Sequence, residues 1–109
     1  MDKIIKKKIA KNWFKILQNI ICFEIEKLEN SSAKFICKKW EKNPKKNEGG
    51  GEYRILKNGR IFEKVGVNFS EVNGTFSKDI RKKIPGTKKN GNFWASGISI
   101  VMHAKNPNI

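Results

Sequence analysis

Apolar residues recur at three- and four-residue steps through the first quarter of the chain, at Ile5, Ile9, Trp13, Ile16/Leu17, Ile20 and Phe23. That spacing predicts one amphipathic helix over residues 3–29, with lysines on the other side and Asn30-Ser31-Ser32 as its stop. The stripe is the face expected to dock on a sheet. Beyond it the period falls to two. Ala33 to Trp40 reads as a short strand, and 41–51, with Pro44 and Gly49-Gly50-Gly51, as a loop. Tyr53 to Lys64 reads as a hairpin about Asn58-Gly59, a pair suited to a two-residue turn. That turn would place Leu56 opposite Ile61 and Arg54 opposite Glu63. The second strand is expected to run through Val65 to Val72 and to turn at Asn73-Gly74. Residues 77–84 suggest a short helix capped by Ser77 and stopped at Pro85-Gly86. A polar turn follows at Lys88 to Asn92, then a last strand from Phe93 to His103, broken at Asn106-Pro107.

Two of these strands have contrasting faces. Gly66, Asn68 and Ser70 alternate with Val65, Val67 and Phe69, while Ala95, Gly97, Ser99 and His103 alternate with Trp94, Ile98, Ile100 and Met102. Side chains along a strand point alternately to its two sides, so one side is greasy and suits packing under helices. The other is small and polar and carries the sole histidine, leaving room for a broad, flat ligand. Ser99 and His103 share it, but four residues of strand separate them by roughly 13 Å, too far for a nucleophile–base pair. No catalytic triad or paired carboxylates emerge from the spacing.

Length and composition narrow the classes. With 109 residues there is room for one domain, 1–109. The order of a helix and mostly antiparallel strands with one helical interruption makes the fold class α+β. A formal charge of +14 arises from 24 Lys+Arg against 10 Asp+Glu, and all but Arg54, Arg60 and Arg81 of those cations are lysine. Such a surface attracts polyanions, so a basic nucleic-acid-binding module is the alternative class. Against it, the lysines are spread over every element and the aromatics fall at core-facing positions. Cys22 and Cys37 form no CxxC and have no neighbouring histidine, a pattern of two reduced thiols. The longest unbroken apolar run is Ile20 to Phe23, which predicts no membrane span and no export signal, hence a cytoplasmic protein.

Several ordered motifs carry a more specific message: Trp40, the triple glycine 49–51 with Arg54 after it, the run NGRIFEKVGVNFS at 58–70 and the run FWASGISIVMHAKNP at 93–107. Together, over residues 40–109, they resemble the N-terminal part of the oxygen-dependent coproporphyrinogen-III oxidases of haem biosynthesis. The resemblance implies part of a large, mainly antiparallel sheet flanked by helices. It implies oxidative decarboxylation of two propionates of coproporphyrinogen III to vinyls, giving protoporphyrinogen IX. Dioxygen would be co-substrate, with no organic cofactor, a divalent metal cation as the ion involved, and a homodimer in the full-length family. Carried over by position, Ser99 is implied to bind substrate and His103 to belong to the metal site. The family's proton-donor histidine and an Asn-x-Arg substrate contact would lie after Ile109, so no catalytic residue is expected within this chain, and a truncated or split product, even a non-catalytic remnant, is expected. Two positions depart from the pattern: Lys105 replaces the usual arginine before Asn-Pro, and Glu48 replaces a frequent fourth glycine. Arg54, Arg60 or lysines would meet the propionates, and Asn68 would donate a hydrogen bond on the same face or satisfy buried backbone.

Overall fold

A computed structural model describes residues 2–85 and 90–108. It contains α1 (Lys3–Glu29), β1 (Ile36–Glu41), β2 (Gly49–Lys57), β3 (Phe62–Thr75), α2 (Lys78–Arg81) and β4 (Asn92–Ala104). The strands form an antiparallel meander in the order β1-β2-β3-β4, with α1 lying across one face. This is the α+β arrangement that the periodicities predict.

The first helix begins at Asp2, whose side chain accepts the N–H of Ile5 at 2.9 Å, and ends at Asn30 in the left-handed conformation. Its docked face is not the expected one. Gln18, Cys22, Ile25 and Glu29 are buried, while Ile5, Ile9, Trp13, Ile16, Ile20 and Phe23 stand between 47% and 61% exposed. A helix with apolar residues on two sides satisfies a periodicity rule on either of them. The choice falls to the side whose polar members find partners in the sheet. Gln18 Nε2 donates to the carbonyls of Glu52 and Val67 at 2.9 and 3.1 Å. The core is then Cys22, Ile25, Leu56, Phe62, Val65 and Val67.

The Asn58-Gly59 hairpin forms with a wider loop than a two-residue turn. Leu56 lies opposite Val65 and Arg54 opposite Val67, in place of Ile61 and Glu63. Asn58 adopts the left-handed conformation (φ 55°), but 60–62 are drawn towards the end of α1. There the Glu29 carboxylate accepts the N–H groups of Ile61 and Phe62, and the Arg60 guanidinium donates to the carbonyls of Leu28 and Glu29. A register irregularity between Phe62 and Lys64 follows, with Phe62 opposite Ala104 and Lys64 opposite His103. One extra residue on β3 reverses the side alternation, and Phe62 enters the core.

Three boundaries also differ. The triple glycine is strand, paired with β1 and β3, because glycine lets the neighbouring backbones approach. Asn73-Gly74 continues β3, paired with Trp94 and Phe93, where Phe76 and Phe93 stack with ring centroids 4.3 Å apart. The short helix covers only 78–81, with Ser77 as its cap. Gly86 of the expected Pro85-Gly86 stop, and Lys88 and Lys89 of the expected polar turn, lie outside the described residues. No helix is long and apolar enough to cross a membrane among the described residues.

Candidate functional site on the open face of the sheet

Residues directly opposite in an antiparallel pair share a face, so the register groups the open face into rows across the strands. One row is Trp40–Gly51–Ser70–Gly97. The next is Lys38–Tyr53–Asn68–Ser99, then Ile36–Ile55–Gly66–Val101. The last is Lys57–Lys64–His103. Val65, Val67 and Phe69 lie on the other face and are buried beneath α1. The two-faced reading of β3 therefore holds. On β4 the greasy side is covered only in part, and Ile100 and Met102 remain 43% and 47% exposed.

Along this face bulk and space are unevenly shared. The Trp40 ring lies over Gly51, and the Tyr53 phenol lies over Gly66, each where a side chain in place of hydrogen would collide with it. Gly97 has nothing within 4 Å of a would-be Cβ. The face is thus an aromatic half on β1–β2 and an unobstructed ledge on β4, with Asn68 between them.

Trp40 Nε1 donates to Asn68 Oδ1 at 3.0 Å. An indole N–H is a donor only, so the bond fixes the carboxamide with its oxygen towards Trp40 and its NH₂ as a remaining donor. Asn68 thus spends its oxygen on a side chain of the same open face. The Trp40–Asn68 contact is the relationship that sequence reading missed. Trp40 stands one row away from Asn68, and only the register brings these residues together on a diagonal.

Ser99 and His103 are exposed on the face where alternation put them, one in the Asn68 row and one in the Lys64 row. The arginines suggested for carboxylates are elsewhere. Arg54 lies beneath α1, donating to Glu52 at 2.7 and 2.9 Å, beside a cleft of ≈ 440 Å³ lined also by Lys11, Lys15 and Lys39. Arg60 is spent on the carbonyls that end α1. The cations on the open face are lysines: Lys38, Lys57 and Lys64.

Among the described residues no three His, Cys, Asp or Glu side chains converge as metal ligands. Lys64 stands directly across from His103. The described residues do not by themselves make a metal centre.

Comparison with known proteins adds a second line. The family model described as coproporphyrinogen III oxidase matches residues 9–109, starting inside α1 and ahead of Trp40. Proteins named oxygen-dependent coproporphyrinogen-III oxidase are 44% identical in Rickettsia felis and 45% identical in Rickettsia akari, in both cases over 96% of this chain. A protein of that name in Rickettsia bellii is 41% identical over 93% of it. The chain spans about 39% of the length of the two more similar of these relatives.

Proposed function

Since the chain belongs to the coproporphyrinogen III oxidase family, we propose that it supplies the substrate-bearing face of an oxygen-dependent oxidase acting on coproporphyrinogen III. In this reading the chain is the N-terminal portion of that enzyme, which works in the cytoplasm as a homodimer. The open face of the sheet carries the tetrapyrrole. The observation that supports this most is the pairing of a clear ledge at Gly97 with the Trp40-fixed carboxamide of Asn68 beside it.

A tetrapyrrole with propionate arms needs a broad surface, donors for carboxylates and apolar contact for its rings. Gly97 and Ser99 leave space above β4. Ser99 hydroxyl and Asn68 NH₂, neighbours in one row, are the donors that orient the substrate. Lys57 and Lys64 present ammonium groups to the propionates, as point charges without the two-point grip of an arginine. Trp40 and Tyr53 give the ring system an aromatic border. Oxidative decarboxylation turns each reacting propionate into a vinyl with loss of carbon dioxide and transfer of two electrons to dioxygen. What this chain contributes is binding and orientation. His103 would serve as one ligand of a divalent cation whose other ligands are not among the residues described. The proton-transfer histidine belongs to the family pattern outside this chain.

The test uses the stable oxidised substrate, coproporphyrin III, titrated against the Trp fluorescence of the chain. Wild type should bind. Gly97→Leu, which adds bulk where nothing crowds it, should retain the fold by circular dichroism and weaken binding at least tenfold. Asn68→Asp retains an oxygen for Trp40 but exchanges the donor for a negative charge, and should weaken binding as strongly. Equal affinity in wild type and Gly97→Leu would show that the porphyrin does not lie on this face.

A further inference from the structure

The tripeptide Lys-Asn-Gly occurs twice in the chain, at 57–59 and 89–91, and a further Asn-Gly step stands at 73–74. At an Asn-Gly step the backbone readily attacks the side chain, because glycine has no Cβ to keep its amide nitrogen away from the preceding carboxamide. Local sequence ranks the two identical tripeptides alike. The fold does not.

At Asn58-Gly59 the attack is opposed. Gly59 N–H donates to the Phe62 carbonyl at 2.9 Å, and the glycine is buried against the Glu29 carboxylate. An anion there disfavours loss of the amide proton, which the attack needs. Asn73-Gly74 is held in the ladder of β3, opposite Trp94 and Phe93, and Asn73 N–H donates to the Glu48 carbonyl at 3.0 Å. Closing a ring there would pull both residues out of the sheet.

Asn90-Gly91 differs on each count. It lies ahead of β4, outside the strands, and Asn90 is exposed. Its glycine lies against a cation, for a Cβ built on Gly91 would come 2.8 Å from Arg81 Nε. The Asn90 carboxamide is aimed forward. Its Oδ1 accepts the N–H of Asn92 at 3.0 Å, and the ring closed by that bond contains the Gly91 nitrogen. Attack puts negative charge first on that nitrogen and then on Oδ1. The Arg81 guanidinium stands by the one and the Asn92 N–H by the other, an arrangement that stabilises developing charge.

We propose that Asn90 is a self-modification site, at which the Gly91 nitrogen attacks the Asn90 side chain and converts it to aspartate and isoaspartate. The Gly91 amide gives its proton to solvent, its nitrogen bonds to Asn90 Cγ, and Nδ2 takes up a proton and leaves as ammonia. Water then opens the succinimide at either carbonyl. The sum is asparagine plus water giving acid plus ammonia, with no oxidation or reduction. The isoaspartate product lengthens the main chain by one carbon next to the Gly91 carbonyl, which accepts Phe76 N–H at 2.8 Å. A slow, one-way change is thus built into the entry of the strand that carries Gly97, Ser99 and His103. The inference does not depend on what the open face binds.

The full 109-residue chain, incubated at pH 8 and mapped over time by peptide mass spectrometry, tests it. In the folded chain Asn90 should convert at least about tenfold faster than Asn58 or Asn73, and in urea the three rates should converge, because tertiary contacts are what separate them. Arg81→Gln should slow Asn90 at least about threefold in the folded chain and leave its rate in urea unchanged, whereas Arg81→Lys, which keeps the charge, should slow it less. The comparison of folded and urea-treated wild type decides the matter even where Arg81→Gln disturbs the fold, which circular dichroism reports. Asn90 converting no faster than Asn58 in the folded chain, a ranking that persists in urea, or an unchanged rate in folded Arg81→Gln would each overturn the proposal.

Discussion

The carboxylate of Glu29 accepts the backbone N–H of Ile61 at 2.8 Å, joining the last residue of α1 to the loop between β2 and β3. The same carboxylate takes Phe62 N–H at 3.3 Å, and Gly59 sits against it with no room for a side chain. One fully buried acid thus ends the helix, sets the loop and directs Phe62 into the core. A buried charge is tolerable only when hydrogen-bonded, and this one is supplied by main-chain donors and by Arg60 nearby.

Replacing Glu29 by Ala should strand those donors in the interior. At about 1–3 kcal/mol for each unsatisfied buried donor, a loss of about 3 kcal/mol is expected, read as a lower urea midpoint with an unchanged slope. Glu29→Gln should fall between, because its amide oxygen accepts while its NH₂ opposes the donors. A loss below 0.5 kcal/mol, a threshold on the order of one weak surface contact, would show that the loop does not depend on this carboxylate.

Stability should fall in acid. Burial tends to raise the Glu29 pKa, but the N–H groups of Ile61, Phe62 and Arg60 outweigh it and hold the pKa below the usual carboxylate range. The Cys37 thiol and Arg54 do the same for Glu52, against its own partial desolvation. A depressed folded pKa means the unfolded chain binds protons first. The contribution is complete above the unfolded value of about 4.3 and is lost as pH falls through the folded pKa. Thermal unfolding from pH 6 downwards should show a decline starting near that value, and Glu29→Gln should make it shallower.

The two sides of α1 should differ sharply in sensitivity. Ile25 is 7% exposed and belongs to the core, so Ile25→Ala should cost about 2–5 kcal/mol. Ile20 is 48% exposed, and Ile20→Ala should cost less than about 1 kcal/mol in the monomer. Equal costs would mean that α1 docks on the stripe that periodicity alone selects.

Cys37 should be a sluggish thiol despite its exposure. Its Sγ donates to Glu52 Oε1 at 2.7 Å, and that hydrogen bond, with some desolvation, raises its pKa. Alkylation with iodoacetamide at pH 8 should be slower than for a free thiol, and Glu52→Gln should speed it. Cys22 is buried, its pKa raised chiefly by desolvation, and should stay unreactive until the chain unfolds. An unchanged Cys37 rate in Glu52→Gln would exclude the hydrogen bond as the cause.

The sequence by itself determined the elements and the two faces of the long strands. Residues 3–29 form the helix, Ser77 caps α2, and Gly66, Asn68, Ser70, Gly97, Ser99 and His103 share one side because strand alternation is fixed by local geometry. The motifs at 58–70 and 93–107 also carried the family, which residues 9–109 confirm. Tertiary structure alone decided which side of α1 is buried, since both sides are apolar and only the inner one offers Gln18 and Glu29 to backbone groups of the sheet and loop. It decided the β2–β3 register too, because the partner that widens the loop lies 32 residues away in sequence. The Trp40–Asn68 bond spans 28 residues and exists only once three strands are in register. Local rules act over a few residues. Hydrogen bonds that satisfy buried or half-buried polar groups can join any two points of the chain, and they chose among the arrangements that the local rules allow.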